Sequence, residues 1–97
     1  MKTKTYSFIQ DPAHGWLRVK TVELDSLGLL DKISGYSYVS GSGKSVYLEE
    51  DADLALFLQA KQVQFSDLPV TVRHSEKPSF VRSLTSYTVP TVSIDTI

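Results

Sequence analysis

The sequence contains no cysteine, which excludes disulfide bridges, thiolate metal sites and cysteine nucleophiles. It also lacks any apolar run that approaches the roughly 18 residues of a membrane-spanning helix. At the amino terminus, Lys2 and Lys4 are followed by a mixed segment and not by the apolar stretch of a signal peptide. We therefore expect a cytoplasmic protein that has no contact with a membrane.

An excess of charge of one sign is missing as well. Ten lysines and arginines stand against eleven aspartates and glutamates, a net charge of −1, so a positive field that binds nucleic acid non-specifically is not expected. The length of 97 residues and the apolar fraction of 41% are those of one globular domain. We predict a single domain, residues 1–97, whose last part (86–97) is an extended arm or an edge strand.

The middle of the chain predicts a β-hairpin followed by a helix. β-forming residues at 36–39 and 46–48 flank a Gly-Ser-Gly turn. Asp51 or Asp53 can cap the helix that follows. Apolar residues then recur with the spacing of one helical stripe: Leu54, Phe57 and Leu58. We predict that this helix covers about 51–62.

Other segments predict more strands and a short helix. Residues 3–10 alternate as a half-buried strand, 16–19 form its hairpin partner, and 70–72 add a later strand. Thr21 and Gly28 suit the start and the end of a short helix over 21–28. The predicted fold class is α+β, with an antiparallel sheet of four or five strands, the 51–62 helix packed on one face and the 21–28 helix at an edge.

No catalytic or cofactor motif is complete. Gly43-Lys44-Ser45 resembles the end of a phosphate-binding loop, but Tyr38 occupies the position of the first glycine and a strand follows, which favours a hairpin turn. No spacing of histidine and glutamate matches a zinc site. We expect no metal, no cofactor and no enzymatic activity. A small enzyme that uses His14 with Asp11 as an acid–base pair stays open as an alternative.

Four carboxylates lie close together at the predicted helix start. They stabilise a helix without any ligand, and calcium or magnesium is a weaker interpretation because the ligand spacing of a known motif is missing. A third interpretation is contact with lysine or arginine on a partner protein. We place the predicted partner contacts on these carboxylates and on two aromatic anchors: Glu49, Glu50, Asp51, Asp53, Trp16 and Tyr47.

The aromatic residues leave a second function open. Rings on an exposed sheet face can stack bases of single-stranded nucleic acid. The cations that would then hold phosphates are Arg18, Arg73, Lys77 and Arg82. The alternative is that most rings form the core, which we favour for Tyr6 and Phe8.

Three stretches carry a resemblance: HGWLRV (14–19), DKISGYSY (31–38) and VYLEEDADLALFLQA (46–60). In these, about the first two-thirds of the chain resembles a group of small uncharacterised proteins found in phages, plasmids and prophage islands. The resemblance implies an accessory protein of a mobile element that acts in the host cytoplasm. Such a protein would inhibit or modulate a host defence or nucleic-acid-processing complex, as anti-CRISPR and anti-restriction inhibitors do. A dimer is possible through an open sheet edge.

Overall fold

Six strands and two α-helices follow one another along residues 5–89, the part of the chain that the computed structural model describes. In chain order these are β1 (Tyr6–Gln10), β2 (Gly15–Lys20), α1 (Thr21–Ser26), β3 (Tyr38–Val39), β4 (Ser45–Glu49), α2 (Asp53–Lys61), β5 (Val70–His74) and β6 (Thr85–Ser86). Short 3-10 turns at Phe65–Asp67 and Phe80–Ser83 precede β5 and β6. Neither α-helix of this part is long and apolar enough to cross a membrane.

The strands form one open sheet in the order β5-β1-β2-β4-β3-β6. The predicted α+β class and both predicted hairpins are confirmed, but the sheet is mixed and has six strands, because β5 runs parallel to β1. β4 and β5 point the same way, and parallel strands need a crossover between them. α2 supplies it and carries the chain across one face of the sheet to the far edge.

The main core lies between α2 and the face of the sheet that α2 covers. Alternation along the three central strands brings six apolar side chains to this face: Tyr6, Phe8, Leu17, Val19, Val46 and Leu48. Leu54 and Phe57 of α2 meet them, and the Phe57 ring packs edge-on against Tyr6 with a centroid distance of 5.9 Å. The predicted packing of the helix and the predicted burial of Tyr6 and Phe8 are therefore confirmed.

The helix ends differ in part from the prediction. Ala52 is the N-cap of α2, and neither Asp51 nor Asp53 caps it, since the Asp53 carboxylate is engaged by the loop before β3. At α1 the cap is Lys20, and the Thr21 hydroxyl instead donates to the Gly43 carbonyl at 2.6 Å. The predicted glycine stop is confirmed, because Gly28 has a φ of +73° at the position after the C-cap Leu27.

A second, smaller core lies on the other face of the sheet. Ile9, Trp16 and Tyr47 point to this face and are buried beneath Val81 of the second 3-10 turn. Residues 79–84 therefore cover this face of the sheet, and the chain then joins the sheet as β6. Of the predicted arm, Ser86 belongs to β6 and Tyr87 is buried in the main core, whereas 90–97 lie outside the described residues.

Gly15, the first residue of β2, provides a test of how closely the first hairpin packs. A Cβ atom there would lie 2.4 Å from Cζ of Phe8, whose ring is buried and packed edge-on against Phe65. The ring cannot move away freely, so we expect Gly15→Ala to lower the free energy of unfolding by about 1–3 kcal/mol.

Urea denaturation measures this change, and Gly41→Ala is the matched control. No atom lies within 4 Å of a Cβ at Gly41, and its φ is not in the left-handed region. The control should therefore leave the stability unchanged or slightly raised. Equal destabilisation by both substitutions would contradict the close approach at Gly15.

Candidate functional site

A cavity of about 360 Å³ opens on the second face of the sheet, beside the ends of β2 and β4. Its walls combine aromatic rings with charged and polar side chains. They include Trp16, Tyr36, Tyr38, His14, Glu49, Asp51 and Arg82. We call this cavity the acidic–aromatic pocket.

Strand register explains why these residues meet. Trp16 of β2 pairs with Glu49 of β4, so their side chains point to the same face. His14 lies just before β2 and Asp51 just after β4, which places both at the same end of the sheet. Tyr36 lies in the loop that leads into β3, and its side chain is 74% exposed at the mouth of the pocket.

His14 and Glu49 form a pair inside the pocket. The Nδ1 atom of His14 lies 3.1 Å from Oε2 of Glu49, and the backbone N–H of Asp51 donates to Glu49 Oε1 at 2.8 Å. Each oxygen of the buried Glu49 carboxylate therefore has a partner, one in the turn before β2 and one in the turn after β4. Three residues each offer one atom that could bind a metal ion, and these atoms lie within 4.8 Å of one another: His14, Glu49 and Asp51.

Asp11 fixes one wall of the pocket. Its fully buried carboxylate accepts from Nε of Arg82 at 2.7 Å and from Nη2 at 3.2 Å. Backbone N–H groups of Ala13, His14 and Ser79 complete its shell. The Arg82 bond, assisted by these N–H groups, holds the pKa of Asp11 far below its usual range although burial opposes this. Asp11 thus stays charged and neutralises Arg82.

Arg82 in turn closes the pocket from the side of the carboxy-terminal segment. Its guanidinium carbon lies 5.5 Å from the centre of the Trp16 ring, a cation–π distance. The turn between β1 and β2, which contains Asp11, is therefore linked to Arg82 next to the ring of Trp16. The acid–base pair of His14 with Asp11 is not formed, because Asp11 contacts only the backbone of His14 and the imidazole pairs with Glu49.

Asp53 fixes another wall. Its carboxylate accepts from the backbone N–H and the hydroxyl of Ser34 and from the hydroxyl of Ser37. These bonds hold the loop that carries Tyr36. Asp53 is buried and does not line the pocket, so it contributes by supporting the loop that does.

The six residues that the sequence predicts as partner contacts differ in their exposure to solvent. Four are buried: Glu49, Asp53, Trp16 and Tyr47. Glu50 is half-buried and Asp51 is exposed, so these two alone present a carboxylate to solvent. The four carboxylates therefore do not form a continuous acidic surface, because all five residues of β4 are buried and Ser34 and Ser37 engage the carboxylate of Asp53. Any contact with a partner is a prediction that now depends on Asp51, Glu50 and the rim of the pocket.

Sequence reasoning missed His14, Tyr36 and Arg82 as members of one site. His14 and Glu49 are 35 residues apart and Asp11 and Arg82 are 71 apart. The spacing of residues within a short stretch of sequence cannot indicate contacts between positions so far apart. Only the register of β2 with β4 could have suggested the first of them.

Comparison of the chain with models of known protein families, with curated proteins and with solved structures found no match. The resemblance to accessory proteins of phages and plasmids therefore stays a prediction.

The bond between Asp11 and Arg82 gives a prediction about stability. Asp11→Ala would leave a guanidinium and three backbone N–H groups without their acceptor, so we expect a loss of about 3 kcal/mol in the free energy of unfolding. Urea denaturation followed by fluorescence measures it, because Trp16, the single tryptophan of the chain, lies beneath Arg82.

Glu76→Ala is the matched control, since Glu76 is an exposed carboxylate that makes no ion pair within residues 5–89. Its stability should stay within about 0.5 kcal/mol of the original chain. A small effect of Asp11→Ala, comparable to that of the control, would show that the buried bond does not hold the two segments together.

Proposed function

We propose that this chain is a non-catalytic binding protein that captures a partner protein by receiving a lysine or arginine side chain in the acidic–aromatic pocket. The observation that carries the proposal is the combination of an exposed carboxylate, Asp51, and an exposed ring, Tyr36, at the mouth of a cavity with a buried carboxylate, Glu49, inside it.

The charges of the pocket favour a cationic guest. Arg82 is the one cation among the lining residues apart from the titratable His14, and Asp11 already neutralises it. Glu49 and Asp51 then determine the local potential. A guanidinium or ammonium group gains from both carboxylates and from the face of an aromatic ring.

The lining of the pocket favours binding over nucleophilic catalysis. None of the residues that line it is a serine, threonine or cysteine that His14 could activate. Asp11, which the alternative interpretation pairs with His14, is engaged by Arg82. These contacts support a recognition site with a preformed shape.

The resemblance to phage and plasmid accessory proteins supplies the proposed class of partner. We propose a host protein of a defence or nucleic-acid-processing complex, inhibited or modulated by this chain in the manner of an anti-CRISPR protein. The partner would present the basic side chain from an exposed segment, because the mouth of the pocket is open to solvent at Tyr36 and Asp51.

Affinity capture from a nuclease-treated host lysate tests the site. Asp51→Lys should reduce capture of a stoichiometric protein partner by at least about tenfold, because a positive charge at the mouth repels a basic side chain. The fold should persist, since Asp51 is exposed and its side chain makes no hydrogen bond or ion pair within the described residues.

Glu76→Lys makes the same charge change at an exposed position outside the pocket and is the control. It should leave capture unchanged. Equal capture by the original chain and by Asp51→Lys would overturn the proposal.

A specific observation also favours the second candidate function, the binding of single-stranded nucleic acid. Arg18, Lys20 and Arg73 lie on the second face of the sheet and make no ion pair within residues 5–89. Phe80 is 57% exposed beside them and packs edge-on against Tyr47. We call this set the basic surface. Cations with an exposed ring can hold phosphates and stack a base.

The basic surface differs from the predicted set of cations. Arg82 is engaged by Asp11 and is not available for phosphates. Lys77 is exposed, but it lies in the turn after β5 and lines neither groove that Arg18 borders. Lys20, which the sequence interpretation left out, takes its place because it is two residues beyond Arg18 and so on the same face.

Fluorescence anisotropy with labelled single-stranded oligonucleotides tests this candidate. Binding should weaken as salt rises, since each phosphate contact releases counterions, and the double substitution Arg18→Glu with Arg73→Glu should abolish it. Lys77→Glu is the control and should bind nearly as well as the original chain. No binding of any oligonucleotide at low salt would exclude this function.

A further inference from the structure

His14, Glu49 and Asp51 each bring one potential ligand atom to within 4.8 Å of the other two in the acidic–aromatic pocket. We propose that they form a binding site for one divalent transition-metal ion, with His14 Nδ1, one Glu49 oxygen and one Asp51 oxygen as ligands. The proposal goes beyond the proposed function, because the ion would bind to the chain alone.

The distances agree with a shared ion. Two ligands that each lie about 2.0–2.1 Å from a tetrahedral zinc ion are about 3.3 Å from each other. His14 Nδ1 and Glu49 Oε2 are 3.1 Å apart, and the ligand atom of Asp51 lies within 4.8 Å of both. Asp51 is exposed, so a rotation of its side chain can bring the third ligand closer.

The chemistry of the donors selects the class of ion. Calcium and magnesium are bound by oxygen atoms, whereas an imidazole nitrogen with carboxylates suits zinc, manganese, cobalt and ferrous iron. The two carboxylates balance the charge of a divalent ion. The N–H of Asp51 holds the other Glu49 oxygen at 2.8 Å, which orients the carboxylate as outer contacts do in metal sites.

A second observation in the same pocket points to a ligand. Trp16 is only 1% exposed and lines the pocket, and its indole Nε1–H has no hydrogen-bond partner among the described residues. A buried donor without an acceptor is costly. Three protein ligands leave a position of the ion open to the pocket, where a bound water or an anionic group could accept a hydrogen bond from this N–H.

The hydrogen bond between His14 and Glu49 accounts for those two residues without an ion. It does not account for the indole N–H of Trp16, which has no hydrogen-bond partner among the described residues. A metal ion would also compete with the proposed basic side chain, since both need Glu49 and Asp51. The ion would thus oppose partner binding at the same pocket.

Titration of the chelator-treated full chain with zinc chloride, by calorimetry, tests the site. We expect one ion per chain. Cobalt(II) should bind at the same place and quench the fluorescence of Trp16, whereas magnesium and calcium chloride should bind much more weakly. Absence of saturable zinc and cobalt binding would overturn the proposal.

Variants assign the ligands. His14→Ala and Asp51→Asn should each weaken zinc binding at least about tenfold, the scale on which metal sites respond to loss of a coordinating or supporting group. His74→Ala removes the other histidine of the chain and is the matched control, with unchanged binding expected. Unchanged binding in Asp51→Asn, or loss of binding in His74→Ala, would overturn the assignment. Asp51→Asn decides it even if His14→Ala fails to fold, because Asp51 is exposed.

Failure of this proposal is distinguishable from failure of the proposed function. Metal binding is measured on the chain alone, and partner capture is measured with chelator present. Capture that is sensitive to Asp51→Lys, without any zinc binding, would overturn the metal site and leave the binding function standing. The reverse result would overturn the binding function and leave the metal site.

Discussion

The acidic–aromatic pocket depends on the buried carboxylate of Asp11, which joins two segments of its wall. This carboxylate holds the turn between β1 and β2 through the N–H groups of Ala13 and His14, and it holds the carboxy-terminal segment through Ser79 and Arg82. Charged hydrogen bonds of this kind are stronger than neutral ones. One group therefore places His14 at the pocket and keeps residues 79–84 over Trp16.

With that segment packed on it, the second face of the sheet presents two different surfaces. Carboxylates gather at the end where β2 begins and β4 ends, around Glu49 and Asp51. Three cations that make no ion pair within residues 5–89 lie toward the other end and the β5 edge: Arg18, Lys20 and Arg73. The net charge of the chain is only −1, but its acidic and basic side chains lie at different ends of this sheet face. This separation is why a cationic and an anionic ligand remain the two competing candidates.

Local patterns predicted the elements that depend on near neighbours. The Gly-Ser-Gly hairpin, the α2 stripe of Leu54 and Phe57, and the stop at Gly28 all follow from residues a few positions apart. The same reasoning failed for the helix caps, and it left open whether Trp16 and Tyr47 are buried. Asp53 looks like a cap in sequence, but Ser34 and Ser37 lie close enough in space to take its carboxylate. Trp16 and Tyr47 look like exposed anchors until Val81 covers them.

The sequence by itself determined the α+β class, the main hairpin, the long helix and the burial of Tyr6 and Phe8, because periodicity and turn chemistry act over short distances. Only the tertiary structure decided that β5 runs parallel to β1, that Arg82 belongs to Asp11, and that His14, Glu49 and Asp51 share one pocket. These contacts join residues tens of positions apart. Strand register and crossover direction select such pairs, and a single sequence does not record either of them.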